Sequence, residues 1–240
     1  MHPKQSGKPA APLLFLVCAV IIGLWAALPA AAVENAGASP PVLVVDPGHG
    51  GLDGGATAAD GSLESAINLA IALRVRALAR LFGVQVRLTR DGEELDYPPE
   101  AETVHAKKVW DQKRRVALIR QTEGAMLLSI HQNKYPDARP RGSQVLYART
   151  PDSAAWAELT HANLIAALCK DNRRVAAPIS EDIYLMREID CPGILVECGF
   201  LSNPQEAQKL KSPGYQLELA LVLTASYLQF LSTQFQGDTG

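Results

Sequence analysis

The chain has 240 residues and no block of like charge: 23 lysines and arginines stand against 25 aspartates and glutamates, a formal net charge of −2. That balance argues against a broad electrostatic surface for nucleic acid. There is no internal repeat and no low-complexity tract beyond the N-terminus, which leaves room for one domain of ordinary size. Cysteine is scarce, with four in all. Cys18 falls in an apolar N-terminal run, leaving Cys169, Cys191 and Cys198. An odd number excludes a complete disulfide framework, and the close cysteine pairs of a thiolate zinc site are missing. Pairing Cys191 with Cys198 requires the chain to double back across Ile194–Glu197, which reads as a strand. These are therefore read as small buried thiols. The compact HExxH metalloprotease signature is absent. The glycine-rich GHGGLDGG stretch has neither the GK[ST] ending of a phosphate loop nor the GxGxxG order of a dinucleotide loop.

Residues 1–32 carry an export pattern. Lys4 and Lys8 give a basic start, Leu13–Leu28 is uncharged, and Ala30-Ala31-Ala32 offers a small-residue cleavage site. The segment reads as a secretory signal; the alternative is an uncleaved membrane anchor, because the run is intermediate in length between the two. Val17 stands where a lipoprotein signal has a small residue, so lipidation is not expected. Both readings place the domain outside the cytoplasm. Residues 33–40 form a small-residue linker, residues 41–232 the folded domain, and residues 233–240 a C-terminal tail.

Hydrophobic residues supply 48% of the chain, enough for a core. The most informative stretch is Val42–Ala56, VLVVDPGHGGLDGGA. Four apolar residues bounded by turn residues read as a buried strand, with His49 on the loop at its C-terminal end. In open α/β sheets that edge is where ligands bind. A helical pattern from Leu63 to Phe82 follows, with Ile67, Ile71, Val75, Leu78 and Phe82 on its apolar stripe. Glu64 falls on the same stripe in the first turn. It is either an exposed, dipole-favoured glutamate or a core-facing carboxylate that needs a cation.

Val84–Thr89 is the next strand, and the β-loop-α-β order suggests parallel strands with a right-handed crossover. Arg90–Asp111 reads as a long polar loop, a lid or a plain excursion, with His105 at the surface. Trp110–Thr122 is helical. Ala125–Ile130 is a strand running into His131-Gln132-Asn133. Ser143–Ala148 is a strand, and Asp152 or Ser153 caps a helix to about Lys170 that carries His161 away from any strand end. Asp182–Met186, DIYLM, reads as a strand, as does Ile194–Glu197. Asn203, Pro204 and Glu206 give a cap, a first-turn proline and a capping-box position. A long apolar helix runs from Tyr215 to about Leu231. The fold class is α/β: one domain with a mostly parallel, twisted six-stranded sheet flanked by helices. Strand order does not follow from the pattern.

If the strands are parallel, His49, His131 and Glu197 converge on one edge of the sheet, with Glu64 at the start of the first helix. Two histidines and one carboxylate leaving an open position is a catalytic zinc arrangement. A further carboxylate is needed as general base, and Glu197 fits if it is not itself a ligand.

The motifs VVDPGHGGLDGGA, Glu64, LTR at Leu88–Arg90, SIHQN at Ser129–Asn133 and ILVECGFLSNP at Ile194–Pro204 occur in this order. Together they resemble the zinc-dependent N-acetylmuramoyl-L-alanine amidases, over roughly Pro41 to Leu231. The resemblance implies a zinc ion held by His49, Glu64 and His131, with Glu197 as catalytic acid/base. The reaction it implies is hydrolysis of the amide between the lactyl group of muramic acid and L-alanine of the peptidoglycan stem peptide. DIYLM followed by PGILVECGFLSNP is similar to the compact spore-cortex branch. That branch acts before a partner deacetylase in muramic-δ-lactam formation. An activator protein is a further partner the resemblance suggests, and no wall-binding repeat domain is present. Three positions depart from the family pattern: Ser65 replaces a usual lysine, Arg120 stands near a common asparagine, and Cys198 replaces an aliphatic residue. None removes a metal ligand.

Overall fold

A computed structural model describes residues 40–236. The expected signal or anchor, the cleavage site and the end of the tail lie outside the described residues. Among the described residues, no helix is long and apolar enough to cross a membrane.

Six strands form one sheet: β1 (Val42–Pro47), β2 (Gln85–Leu88), β3 (Ala125–Asn133), β4 (Gln144–Tyr147), β5 (Ala177–Pro178) and β6 (Gly193–Phe200). Their order across the sheet is β2-β1-β3-β6-β4-β5. β1, β2, β3 and β6 run parallel, whereas β4 is antiparallel to β6 and β5 is parallel to β4. β1 and β3, which flank the point where the chain reverses its direction of travel across the sheet, are its most apolar runs. Leu43, Val44, Val45, Leu127 and Ile130 are all fully buried. A strand covered on both faces loses the usual alternation and reads as continuous hydrophobic sequence.

Helices α1 (Glu64–Leu81), α3 (Ser153–Leu168), α5 (Pro204–Leu210) and α6 (Pro213–Gln236) pack on one face of the sheet, around Ile71, Val75, Trp156, Leu210, Leu223 and Tyr227. α2 (Val104–Arg120) and α4 (Tyr184–Glu188) cover the other face through Val116, Ile119, Leu185 and Met186. The helical stripe on α1 is buried as its period requires at Ile67, Ile71 and Val75. Burying each such side chain contributes roughly 1.5–3 kcal/mol. Phe82 instead forms the C-cap and is 37% exposed.

Several local expectations are corrected. DIYLM is not a strand: Tyr184–Glu188 is a short helix that buries the adjacent pair Leu185 and Met186. A five-residue apolar run does not separate helix from strand by period. The strand that completes the six is instead β5, Ala177–Pro178, with proline at the sheet edge, where a missing donor is tolerated. The loop after β2 is shorter than expected, because α2 begins at Val104. Thr103 caps it, its hydroxyl accepting from Ala106 N at 3.0 Å. This helix is so polar that its first turns resemble loop. Asp152 adopts φ 65° and makes no side-chain cap. Ser153 is held instead by a 2.6 Å hydroxyl contact with Thr150 and accepts from Gly193 N at 2.9 Å. Asn203 does cap α5, accepting from Gln205 N and Glu206 N. The Glu206 carboxylate turns outward from the box to accept from Gly142 N and Phe200 N, tying the loop before β4 to the end of β6.

Candidate metal centre

Everything in the centre depends on the loop that leaves β1. Pro47 ends the strand, Gly48 N donates to Ile130 O at 3.0 Å, and His49 takes a left-handed φ of 61°. That conformation costs a non-glycine residue about 1–2 kcal/mol. Two arginines hold it from beneath. Arg90 Nε donates to His49 O at 2.7 Å and Arg90 Nη2 to Gly48 O at 3.0 Å. Arg115 Nη2 donates to His49 O at 2.5 Å, and Nη1 to Pro47 O at 3.0 Å.

The same Arg115 makes a 2.6 Å ion pair with Asp46, and both side chains are 1% exposed. Asp46 also accepts from Thr89 Oγ1 at 2.6 Å and Ser129 Oγ at 2.7 Å, and Asp111 closes on Arg115 Nη2 at 2.7 Å. Burial favours a neutral Asp46, but Arg115 and the two hydroxyls outweigh it and hold the carboxyl at about 2. Burial likewise opposes the charge on Arg115, and Asp46 and Asp111 overcome it, raising the guanidinium above its ordinary value. Arg90, buried beside that second cation, falls to about 10.

On this base three donors meet. His49 Nε2 lies 3.3 Å from Glu64 Oε1, and His131 Nδ1 lies 3.0 Å from the same oxygen. The two imidazole rings sit edge to face with centroids 5.0 Å apart. One ligand atom from each of the three residues lies within 4.8 Å of the other two. Glu64 is 3% exposed and fixed on all sides. Its Oε2 accepts from Ala56 N at 2.8 Å, and Oε1 accepts from Gln132 N at 3.1 Å and Asn68 Nδ2 at 3.3 Å. Asp53 Oδ2 accepts from His49 Nδ1 at 3.0 Å, which leaves Nε2 as the free donor to a cation. Two glycines make the approach possible. A Cβ on Gly48 would lie 2.2 Å from the His131 ring, and one on Gly55, whose φ is +67°, would lie 2.6 Å from Glu64 Oε2.

The charges are tuned by proximity. Burial lowers the His49 pKa, but hydrogen bonds and charge from Glu64 and Asp53 reverse this and lift it to about 9. Glu64 is driven the other way: the two histidines overcome burial and hold it well below the ordinary carboxylate range.

Glu197 stands beside the trio. It is the register partner of His131 on neighbouring parallel strands, so both side chains project from the same face. The register then slips between His131 and Asn133, an irregularity of the kind found next to active sites. Glu197 Oε2 is shielded from solvent and has no hydrogen-bond partner. Burial pushes its pKa up to about 7. Two imidazole nitrogens and one carboxylate oxygen crowded at one point suit zinc. The unpartnered oxygen beside them suits a group that exchanges protons with a bound water or substrate.

The structure thus brings His49, Glu64, His131 and Glu197 to one sheet edge. His105 is on an exposed turn of α2, and His161 on α3 uses Nε2 to meet Arg174 O at 2.8 Å. Cys169, Cys191 and Cys198 are free thiols, but only Cys198 is buried as expected; Cys169 and Cys191 are half-buried, the first at the C-cap of α3 and the second in the turn before β6. Sequence reasoning missed the supports: Asp53 behind His49, Asn68 behind Glu64, and Arg90 and Arg115 beneath the loop. For Asp53 a signal existed, an acid four residues after His49 inside the glycine loop. For Arg115 there was none, because Asp46 and the loop carbonyls it holds lie more than 60 residues away, and Asp111 four residues before it looks like an ordinary helical ion pair.

A mostly parallel sheet thus carries a donor set that could hold a metal at its reversal point, with a half-buried carboxyl alongside, an arrangement chemically suited to hydrolysis. The chain belongs to the N-acetylmuramoyl-L-alanine amidase family, whose profile matches residues 43–226. The protein is a peptidoglycan amidase. It is 34% identical over 196 residues to the germination-specific N-acetylmuramoyl-L-alanine amidase of Bacillus subtilis, a match covering 81% of each chain. It is 26% identical to the amidase AmiA of Escherichia coli over 79% of this chain and 75% of that one. Among solved structures, the CwlD amidase of Clostridioides difficile, in complex with the GerS lipoprotein, superposes with a TM-score of 0.77 at 32% identity. That match covers 81% of this chain and all of the other.

Proposed function

We propose that the protein cleaves the amide between the lactyl group of N-acetylmuramic acid and L-alanine, using one zinc ion held by His49, Glu64 and His131. Zinc in such a site acidifies a water molecule and polarises a carbonyl. Glu197 is the acid/base: its Oε2 takes the proton released by the attacking water and returns it to the nitrogen of L-alanine as the amide breaks. A carboxyl poised at about 7 can both accept and donate near neutral pH. The observation that carries this reading is Glu197 Oε2, buried without a partner beside three convergent donors. Glu197→Gln should keep zinc and lose turnover by about 10²–10⁴-fold, the usual scale of a general acid/base. Full activity in that variant removes Glu197 from the chemistry.

We further infer an extracytoplasmic role in spore-cortex maturation, upstream of a deacetylase that completes muramic-δ-lactam. The support is the likeness to a germination-specific amidase and to the CwlD amidase, each over most of the described domain. An activator protein is part of this reading, by analogy with the lipoprotein bound to that amidase. Muropeptide analysis of cortex from a deletion strain tests it. Loss of muramic-δ-lactam is expected; normal lactam with unseparated daughter cells points to a vegetative role.

A further inference from the structure

Most cations in the segments around the sheet edge are neutralised. Lys108 Nζ lies 3.0 Å from Asp53 Oδ1, Lys211 pairs with Asp60, and Arg139 Nη2 lies 2.5 Å from Asp137. Arg90 and Arg115 are buried beneath the metal loop. Lys134 differs. It stands three residues after His131, on the exposed loop between β3 and β4, and among the described residues no carboxylate pairs with it. Its ammonium is nevertheless held in place, donating to Thr57 O at 3.0 Å. Thr57 follows Ala56, whose N–H grips Glu64 Oε2 at 2.8 Å. Lys134 is therefore tied at both ends to the segments that carry the metal ligands. A lysine ammonium has three donors, and one acceptor leaves two for a partner beside the Ala56–Thr57 segment that grips Glu64.

We propose that Lys134 is an anion subsite that recognises the free α-carboxylate of the second residue of the stem peptide. This rests on the amidase reading of the trio and Glu197. The substrate's chemistry narrows what such a cation could meet near the scissile bond. The lactyl side of the amide is neutral, and so is L-alanine within the chain. The second stem residue, glutamate joined through its γ-carboxyl, leaves its α-carboxylate free. It lies roughly 7 Å along an extended chain from the scissile nitrogen, about two residues. Where that carboxylate is amidated, the first negative charge moves farther out and the subsite has only a neutral amide to hold.

The test uses two soluble muropeptides that differ only in carrying a carboxylate or a carboxamide on the second stem residue. The zinc-loaded enzyme should favour the carboxylate form by about three- to tenfold, expressed in KM, the scale of a partly exposed charged hydrogen bond. Lys134→Met should abolish the preference and leave zinc content and turnover of the amidated substrate unchanged, and Lys134→Arg should restore it. A wild-type enzyme indifferent to the carboxylate, or a K134M variant that still prefers it, overturns the subsite. So does a K134M variant that loses zinc or slows equally on both substrates, which would make Lys134 a structural tie. A zinc-loaded wild-type enzyme that cleaves neither muropeptide overturns the amidase reading itself, and the subsite with it.

Discussion

Glu197 offers a prediction that needs no substrate. One oxygen of its carboxyl, Oε2, is shielded from solvent and unpartnered, and the group is raised from 4.5 to about 7. Folding therefore favours the protonated form. The contribution is fully present below about pH 4.5 and is lost as the pH rises through about 7. At 1.36 kcal/mol per unit, ionising Glu197 in the fold costs about 3 kcal/mol by pH 8. Glu197→Gln removes the ionisation and keeps the shape. In metal-free protein the variant should match the wild type near pH 4.5, apart from a fixed offset for the amide, and gain on it by about 3 kcal/mol at pH 8. For a domain of this size that is a difference in Tm of roughly 6–12 °C. Metal must be absent, because a divalent cation nearby would hold the carboxyl ionised. Thermal unfolding of both proteins across this range is the assay. A gap that stays constant from pH 4.5 to pH 8 refutes the account of Glu197 as a strained, uncompensated acid.

Other predictions concern the ligands and their support. His49→Ala and His131→Ala should each lose zinc, and Glu64→Gln should weaken its binding, as metal analysis after dialysis would show; full zinc occupancy in H131A would exclude that residue. Arg115→Met leaves Asp46 buried without its cation and should destabilise the fold by about 3–5 kcal/mol in denaturant titration, the usual effect of breaking a buried pair. Because Asp46 is held at about 2, its stabilisation is present above pH 3.8 and lost as the pH falls towards 2; Arg115→Met should flatten that acid limb. Gly48→Ala should displace the His131 ring, which the new Cβ would meet at 2.2 Å. It should lower zinc affinity at least tenfold, measured by chelator competition; unchanged affinity would show that the ring has room to move.

The sheet and the four-residue constellation were legible because each rests on a local signal. VLVV and AMLLSI read as apolar runs because both faces of their strands are covered; His131 follows the second directly, and His49 stands four residues after the end of the first. Glu64 was marked by its place on the apolar stripe of α1. What escaped was either too short or too distant. DIYLM is too brief to show a period. Ala177–Pro178 has only two residues and no pattern at all. The polar α2 hid its own start, although Thr103 is a good cap. Asp46, Arg90 and Arg115 look like ordinary charged residues in sequence. Their role appears only when β1, β2 and α2 are stacked, because the groups they serve are backbone carbonyls of a loop that sequence alone cannot place.

The strand order has a consequence for how the molecule comes into being. Among the described residues β6 is the last strand in chain order, yet it occupies the space between β3 and β4. Until it arrives, β3 has an open edge in the middle of the domain, and β4 and β5 have no sheet to join. Unpaired edges of this kind invite wrong partners, so the folding chain is most exposed to aggregation before β6 is in place. The strand that closes this gap also carries Glu197. The histidines and Glu64 can gather earlier, but Glu197 enters only with the insertion that seals the sheet. On the proposed assignment of Glu197, a chain without β6 in place is inert, and competence for cleavage comes with the closing of the sheet.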